Sequence, residues 1–209
     1  MTTTVLILGG EPPSRKLVRH TCHRADFLLA ADGGYEALHE AGIEPDALVG
    51  DFDSLTTPVR KIRCRKLHAP EQTATDFEKA LRLLPEGTTK LRILGGMGRR
   101  MDHFLNNLLI AAALEPALSL SFLDEKQELV RTTPECPFHS RVKAGSLVSI
   151  VPFRRCEGVT TEGFLWDLEN SPMNAEEQLS QSNQAAGSEV KVSLRSGVAY
   201  VILNKTFSK

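Results

Sequence analysis

VLILGG, Val5 to Gly10, is an unbroken apolar run that ends in two glycines. A strand buried on both faces reads this way, because helices covering both sides of a parallel sheet leave no polar alternation. FLLAADGG (Phe27 to Gly34) repeats the design, and ALVGDFDS (Ala47 to Ser54) repeats it again. LRILGGMG (Leu91 to Gly98) and LSLSFLD (Leu118 to Asp124) continue the series. Helical patterns fill the intervals, so the spacing predicts an α/β fold with a mainly parallel sheet flanked by helices. Ligands of such sheets bind beyond the carboxyl ends of the strands, and here those ends carry glycine and aspartate.

Two helices are legible in detail. Thr75-Asp76-Phe77-Glu78 has the spacing of a capping box, and Phe77, Ala80, Leu81 and Leu84 follow at helical intervals until Pro85 and Gly87. After Gly98, residues Met101, Phe104, Leu105, Leu108 and Leu109 form one apolar stripe, with Asp102 and Asn106 on another face. Beyond about residue 130 the helical period disappears. LVSIVPF (Leu147 to Phe153) and VTTEGFLWDL (Val159 to Leu168) read as strands. Val190, Val192 and Leu194 alternate with Lys191, Ser193 and Arg195, then Ser196-Gly197 turns the chain into VAYVIL, a hairpin signal. Asn170 to Ser188 is polar and reads as a long loop. The predicted division is an α/β domain over residues 1–130 and a smaller antiparallel β domain over residues 131–209.

Composition narrows the function. With 25 Lys+Arg against 26 Asp+Glu the net charge is −1, which argues against nucleic acid as a partner. No apolar run reaches the roughly 18 residues of a membrane span; the longest, Leu105 to Leu114, contains Asn106 and Asn107. The N-terminal MTTTVLILGG lacks the basic start of a signal peptide. The four cysteines (Cys22, Cys64, Cys136, Cys156) form no C-x-x-C pair, so neither a disulfide framework nor a zinc site is expected. A soluble, cytoplasmic globular protein is the expectation that remains.

Chemistry concentrates at the strand ends. In Gly50-Asp51-Phe52-Asp53-Ser54 an extended backbone would aim Asp51 and Asp53 to one side. Paired carboxylates suit Mg²⁺, whereas the bland reading is a solvated D-x-D turn. Asp32 precedes Gly33-Gly34, where glycines admit a ligand to the backbone. Asp76 sits in a first helical turn and has capping as its bland reading. Gly95-Gly96-Met97-Gly98-Arg99-Arg100 leads into Asp102, offering free N–H groups and arginine to phosphate, or simply a tight turn.

As an ordered set, ADGG (31–34), GDFDS (50–54), QTATDFEKAL (72–81), GGMGRRMDHFLNN (95–107) and Ser180-Gln181-Ser182-Asn183 resemble the thiamine pyrophosphokinase family over nearly the whole chain. The resemblance implies a Rossmann-like nucleotide-binding domain joined to a β-sandwich-like domain. It also implies a homodimer with composite sites and Mg²⁺-dependent transfer of a diphosphoryl group from ATP to the thiamine hydroxyl, leaving AMP. Carried over by position, Asp32, Asp51, Asp53, Asp76 and Asp102 would surround Mg²⁺, with Asp53, Asp76, Arg100 and Asp102 as the catalytic set. Arg100 would contact the transferred phosphates. Gln72 would contact the thiamine, Asp32, Gly33, Thr75 and Arg100 would also bind substrate, and Ser182 and Asn183 of the partner subunit would hold the thiamine ring. Trp166 matches a tryptophan common in the family's β domain and also reads as a core aromatic beside Phe164.

After Asn183 the chain runs Gln184-Ala185-Ala186-Gly187, where relatives often carry an acid or an aromatic. That departure motivates a second reading, a metal-dependent nucleotide phosphohydrolase with water as acceptor. A third is a non-catalytic thiamine or nucleotide sensor, which would not need five aspartates and Arg100 together.

Overall fold

The structure is a computed structural model that describes residues 2–204. Its elements run β1 (Thr2–Ile7), α1 (Arg15–Cys22), β2 (Phe27–Ala31), α2 (Gly34–Glu40), β3 (Ala47–Gly50), β4 (Arg65–His68), α3 (Asp76–Leu81), β5 (Thr88–Leu94), α4 (Met101–Ala113) and β6 (Ser119–Leu123). Strands follow: β7 (Gln127–Thr132), β8 (Phe138–Arg141), β9 (Leu147–Pro152), β10 (Cys156–Glu162), β11 (Ser171–Met173), β12 (Ser180–Gln184), β13 (Glu189–Ser193) and β14 (Ala199–Asn204). The architecture is α/β. A large mixed sheet has the order β12-β9-β14-β7-β6-β5-β1-β2-β3-β4, and a separate antiparallel sheet has the order β11-β10-β13-β8. The chain divides into two compact units, one of residues up to 110 with 122–125, the other of 111–121 with the residues from 126 on.

In the first unit, β4-β3-β2-β1-β5 pair in parallel. Val5, Ile7, Ala30 and Leu48 pack with Val18 of α1 and Tyr35 and Leu38 of α2 in one cluster. Leu6 and Leu29, on the opposite pleat, are also fully buried. The apolar run in VLILGG therefore has the two-sided burial that its lack of alternation predicts. Phe77 of α3 meets Phe122 edge-on at 6.1 Å between ring centres. A Cβ on Gly34 would stand 2.1 Å from the Ile7 carbonyl oxygen, so only glycine lets α2 start this close to β1.

In the second unit one buried cluster draws on both sheets, with Val148, Ile150 and Val201 from the large sheet and Phe138, Val159, Val190 and Val192 from the small one. Val130 of β7 packs against this cluster, and its neighbour Arg131 is buried as well. Its guanidinium donates to the carbonyls of Ala111 (2.6 Å), Leu114 (3.0 Å), Glu115 (2.7 Å) and Leu118 (2.6 Å). These carbonyls lie at and beyond the C-terminal end of α4, where helical partners run out, although those of Ala111 and Glu115 also accept from the Leu114 and Leu118 N–H groups.

Five local expectations change. β4 was not predicted, because all four of its residues are exposed and no apolar pattern marks it. The capped helix ends at Leu81 rather than running to Leu84. The apolar stripe of α4 splits into buried Leu108 and exposed Met101, Leu105 and Leu109. Asn170 to Ser188 is not one loop: β11 and β12 lie within it, β12 pairing with β9 through a register shift that blurs any alternation. Finally, β13 and β14 form no hairpin. β13 pairs with β10 and β8, whereas β14 lies between β7 and β9, so Ser196-Gly197 carries the chain from one sheet to the other. Among the described residues no helix is long and apolar enough to cross a membrane.

Candidate active site

The carboxyl ends of β2 and β3 build the centre of the site. Asp32 follows β2 with a left-handed backbone, φ +46°. Asp32 accepts from the Phe52 N–H (3.1 Å) and from the Ser54 hydroxyl. Gly50 makes this possible: at φ +154°, a Cβ there would lie 2.9 Å from the Asp32 Cβ. β3 ends at Gly50, and Phe52 takes φ +68°, so a turn rather than an extended strand brings Asp51 and Asp53 together. The Asp53 N–H donates to the Asp51 carboxylate (3.2 Å), and the Phe52 ring packs against His68 at 5.5 Å. Glu36 of α2 pins the loop beyond, accepting from the N–H groups of Thr56 (2.9 Å) and Thr57 (2.8 Å).

Asp32, Asp51 and Asp53 thus each bring a carboxylate oxygen within 4.8 Å of the others. Like charges this close disfavour ionisation unless a cation joins them. The Asp51 charge pushes the Asp53 carboxyl up, while the Asp53 backbone N–H holds Asp51 below the usual range. Half-exposed Asp76 adjoins the group: desolvation first, then the charges of Asp32 and Asp51, push its carboxyl up. Three or four hard oxygen donors beside an open solvent face fit Mg²⁺, which keeps several of its waters. This donor set is compatible with the metal implied by the resemblance.

The other predicted residues take varied places. Thr75 is the N-cap of α3, its hydroxyl accepting from Glu78 N–H (3.2 Å) while the Glu78 carboxylate takes the Thr75 N–H (2.8 Å). Gln72 is exposed and donates to Asp51 (3.5 Å) and the Pro70 carbonyl (3.3 Å). Asp102 is not among the three convergent carboxylates. It is paired with Arg100 through two hydrogen bonds (3.1 and 2.5 Å), and that guanidinium holds its carboxyl below the usual range. Gly33 lines a cleft of about 220 Å³ with Gly9, Gly10, Gly34, Ser54 and Arg99.

In the second unit, Ser182 is exposed at φ +55° and donates its N–H to Ser149 (2.9 Å). Asn183 is buried, donating to the Trp166 carbonyl (2.8 Å) and accepting from the Trp166 N–H (3.4 Å). Trp166 itself is 62% exposed, whereas Phe164 is buried, so the core reading of this tryptophan is corrected. The GFLWDL segment turns at Gly163, and Asp167 accepts from Thr161 and Phe164, which leaves the indole outside. Sequence reasoning also passed over Lys79, four residues beyond the cap, whose side chain is only 4% exposed. Its place in the TDFEK segment, three after Asp76, was the available signal.

Residues 18–119 match the family described as "Thiamin pyrophosphokinase, catalytic domain", and residues 136–199 match "Thiamin pyrophosphokinase, vitamin B1 binding domain". The chain belongs to the thiamin pyrophosphokinase family. Within that family it is 27% identical to the thiamine pyrophosphokinase of Bacillus subtilis (strain 168), over 95% of this chain and 97% of that one. The crystal structure of a thiamine pyrophosphokinase from Bacillus subtilis superimposes with a TM-score of 0.84 at 24% identity, covering 99% and 100% of the two chains. The thiamin pyrophosphokinase of Candida albicans shares the fold, with a TM-score of 0.79 at 15% identity over 98% and 89%. As a thiamin pyrophosphokinase, the chain is an enzyme of pyrophosphoryl transfer that forms thiamine diphosphate. The convergent aspartates lie within the catalytic-domain match, and Trp166, Ser182 and Asn183 within the vitamin-binding match.

Proposed function

We propose that the protein transfers a diphosphoryl group from ATP to the hydroxyl of thiamine in a Mg²⁺-dependent reaction, releasing AMP. The observation that carries this reading is the convergence of Asp32, Asp51 and Asp53, with the Asp32 partner Ser54 lining a glycine-rich cleft. The thiamine hydroxyl oxygen attacks the β-phosphorus, its proton passing to solvent. The bond from that phosphorus to the bridging oxygen breaks, and AMP departs with the oxygen. Such transfers depend on positioning and charge neutralisation.

Asp32, Asp51, Asp53 and Asp76 hold Mg²⁺, which when bound neutralises triphosphate charge. Backbone at Gly9, Gly10, Gly33 and Gly34 approaches the nucleotide, since glycine leaves N–H groups accessible. Arg100 takes the transferred phosphates, with Asp102 orienting its planar guanidinium through the paired hydrogen bonds. Gln72 and Thr75 flank the acceptor, and Ser182 and Asn183 belong to the segment that receives thiamine. The parallel strands serve as a Rossmann-like nucleotide domain and the C-terminal strands as a β-sandwich-like domain, the division of labour falling near residue 130.

The active species in this reading is a cytoplasmic homodimer with composite sites. Exposed Met101, Leu105 and Leu109 give α4 an apolar stripe for a second copy. Assaying Mg²⁺-ATP with thiamine and close analogues, and detecting AMP together with the diphosphorylated product, tests the reaction. AMP formation independent of thiamine would mean hydrolysis instead.

A further inference from the structure

Burying a lysine is costly unless its charge is compensated. The Lys79 side chain is only 4% exposed, projecting from a short helix whose first residue is Asp76. Its ammonium stands 3.7 Å from the Asp76 carboxylate, longer than a good charge-assisted hydrogen bond. A single loose ion pair with a half-exposed partner is a poor reason to hide an ammonium. The neighbours supply a better one. Asp32, Asp51 and Asp53 converge, and Asp76 adjoins them.

We propose that Lys79 is the internal counter-ion of this carboxylate group, a positioning residue that keeps the aspartates together without metal and sets how tightly they take Mg²⁺. Its positive charge lies against Asp76 and acts on Asp51 and Asp53, offsetting the mutual repulsion of these carboxylates. The consequence has a sign that a packing role lacks. A purely structural lysine, when replaced, weakens the empty and the filled site alike. A counter-ion, when replaced, leaves the empty site harder to hold and the filled site tighter, because Mg²⁺ no longer meets a fixed positive charge.

The inference rests on the aspartates being a Mg²⁺ site, and the test separates the two. Mg²⁺ is titrated calorimetrically into native protein, Lys79→Met and Lys79→Arg without nucleotide, and each is melted in EDTA. Lys79→Met is expected to melt lower than native in EDTA yet bind Mg²⁺ about three- to tenfold more tightly, given one removed charge at partly screened distance. Lys79→Arg, with charge retained, is expected to restore native affinity. If Lys79→Met is unfolded in EDTA, refolding on added Mg²⁺ supports the counter-ion role, and failure to refold overturns it. Mg²⁺ binding to Lys79→Met that is equal to or weaker than native also overturns it, while the metal site stands. No Mg²⁺ binding by native protein overturns the metal site itself.

Discussion

Asp53 carries the sharpest test of the site, because Asn in its place is nearly isosteric and removes one charge from the convergent group. Asp53→Asn is expected to lower diphosphoryl transfer by roughly 10²–10⁴, the scale of losing charge neutralisation at the transferring phosphate. Steady-state rates at saturating Mg²⁺-ATP and thiamine check this, and near-normal turnover would leave Asp53 a solvated turn residue. Asp76 gives a complementary test through pH. Its carboxyl is pushed up in the folded protein, so the folded state holds that proton more tightly than the unfolded chain does. The resulting stability is present below the unfolded carboxylate range and is lost as pH rises through the folded value. Metal-free Asp76→Asn should therefore melt at or above native protein at neutral pH, and the gap should close on acidification. Melting curves in EDTA across that range decide it; a gap that widens in acid would refute it. Gly50→Ala is a third case. The new Cβ meets Asp32, and the backbone at φ +154° disfavours a side chain. A loss of about 1–3 kcal/mol in urea unfolding, together with reduced turnover, is expected.

Among the elements, the end of α4 depends on a side chain from another strand. Arg131→Ala would strip partners from the carbonyls of Ala111, Leu114, Glu115 and Leu118 and open a void in a buried position. A loss of about 3–5 kcal/mol is expected, because the guanidinium's hydrogen bonds and the volume it fills are lost together. Chemical denaturation measures it, and a change below about 1 kcal/mol would show that water replaces the guanidinium fully. The elements also explain what could be read from the chain. Strands β1, β2 and β3 were legible because burial on both faces writes itself as continuous apolar sequence, as Leu6 beside Ile7 demonstrates. Strand β4 was not, since Arg65, Lys66, Leu67 and His68 face solvent and owe their conformation to pairing with β3. The aspartates were visible as a motif, but the turn at Phe52 that gathers them was not, for periodicity carries no information about a left-handed residue. Trp166 misled for a related reason. A large aromatic defaults to the core, whereas here the bond that Asn183 donates and those that Asp167 accepts help to hold the turn with the indole outward.

For the whole molecule, the apolar stripe on α4 bears on assembly. If the proposed homodimer with composite sites is the active species, Leu105→Asp is expected to shift it to monomer and to abolish most turnover. Sedimentation at assay concentration checks the first half, and a native protein that is active as a monomer would refute the dimer. One feature of the β unit has its consequence during synthesis. Strand β14 follows all the other described strands in the chain, yet it lies between β7 and β9 in the large sheet. The ribosome therefore delivers both neighbours long before the piece that joins them, and each waits with one edge of unpaired amides. Nascent chains stalled ahead of Ala199 should be held by chaperones or should cluster through those edges. This half of the enzyme closes like a zip fastener whose slider is fitted last.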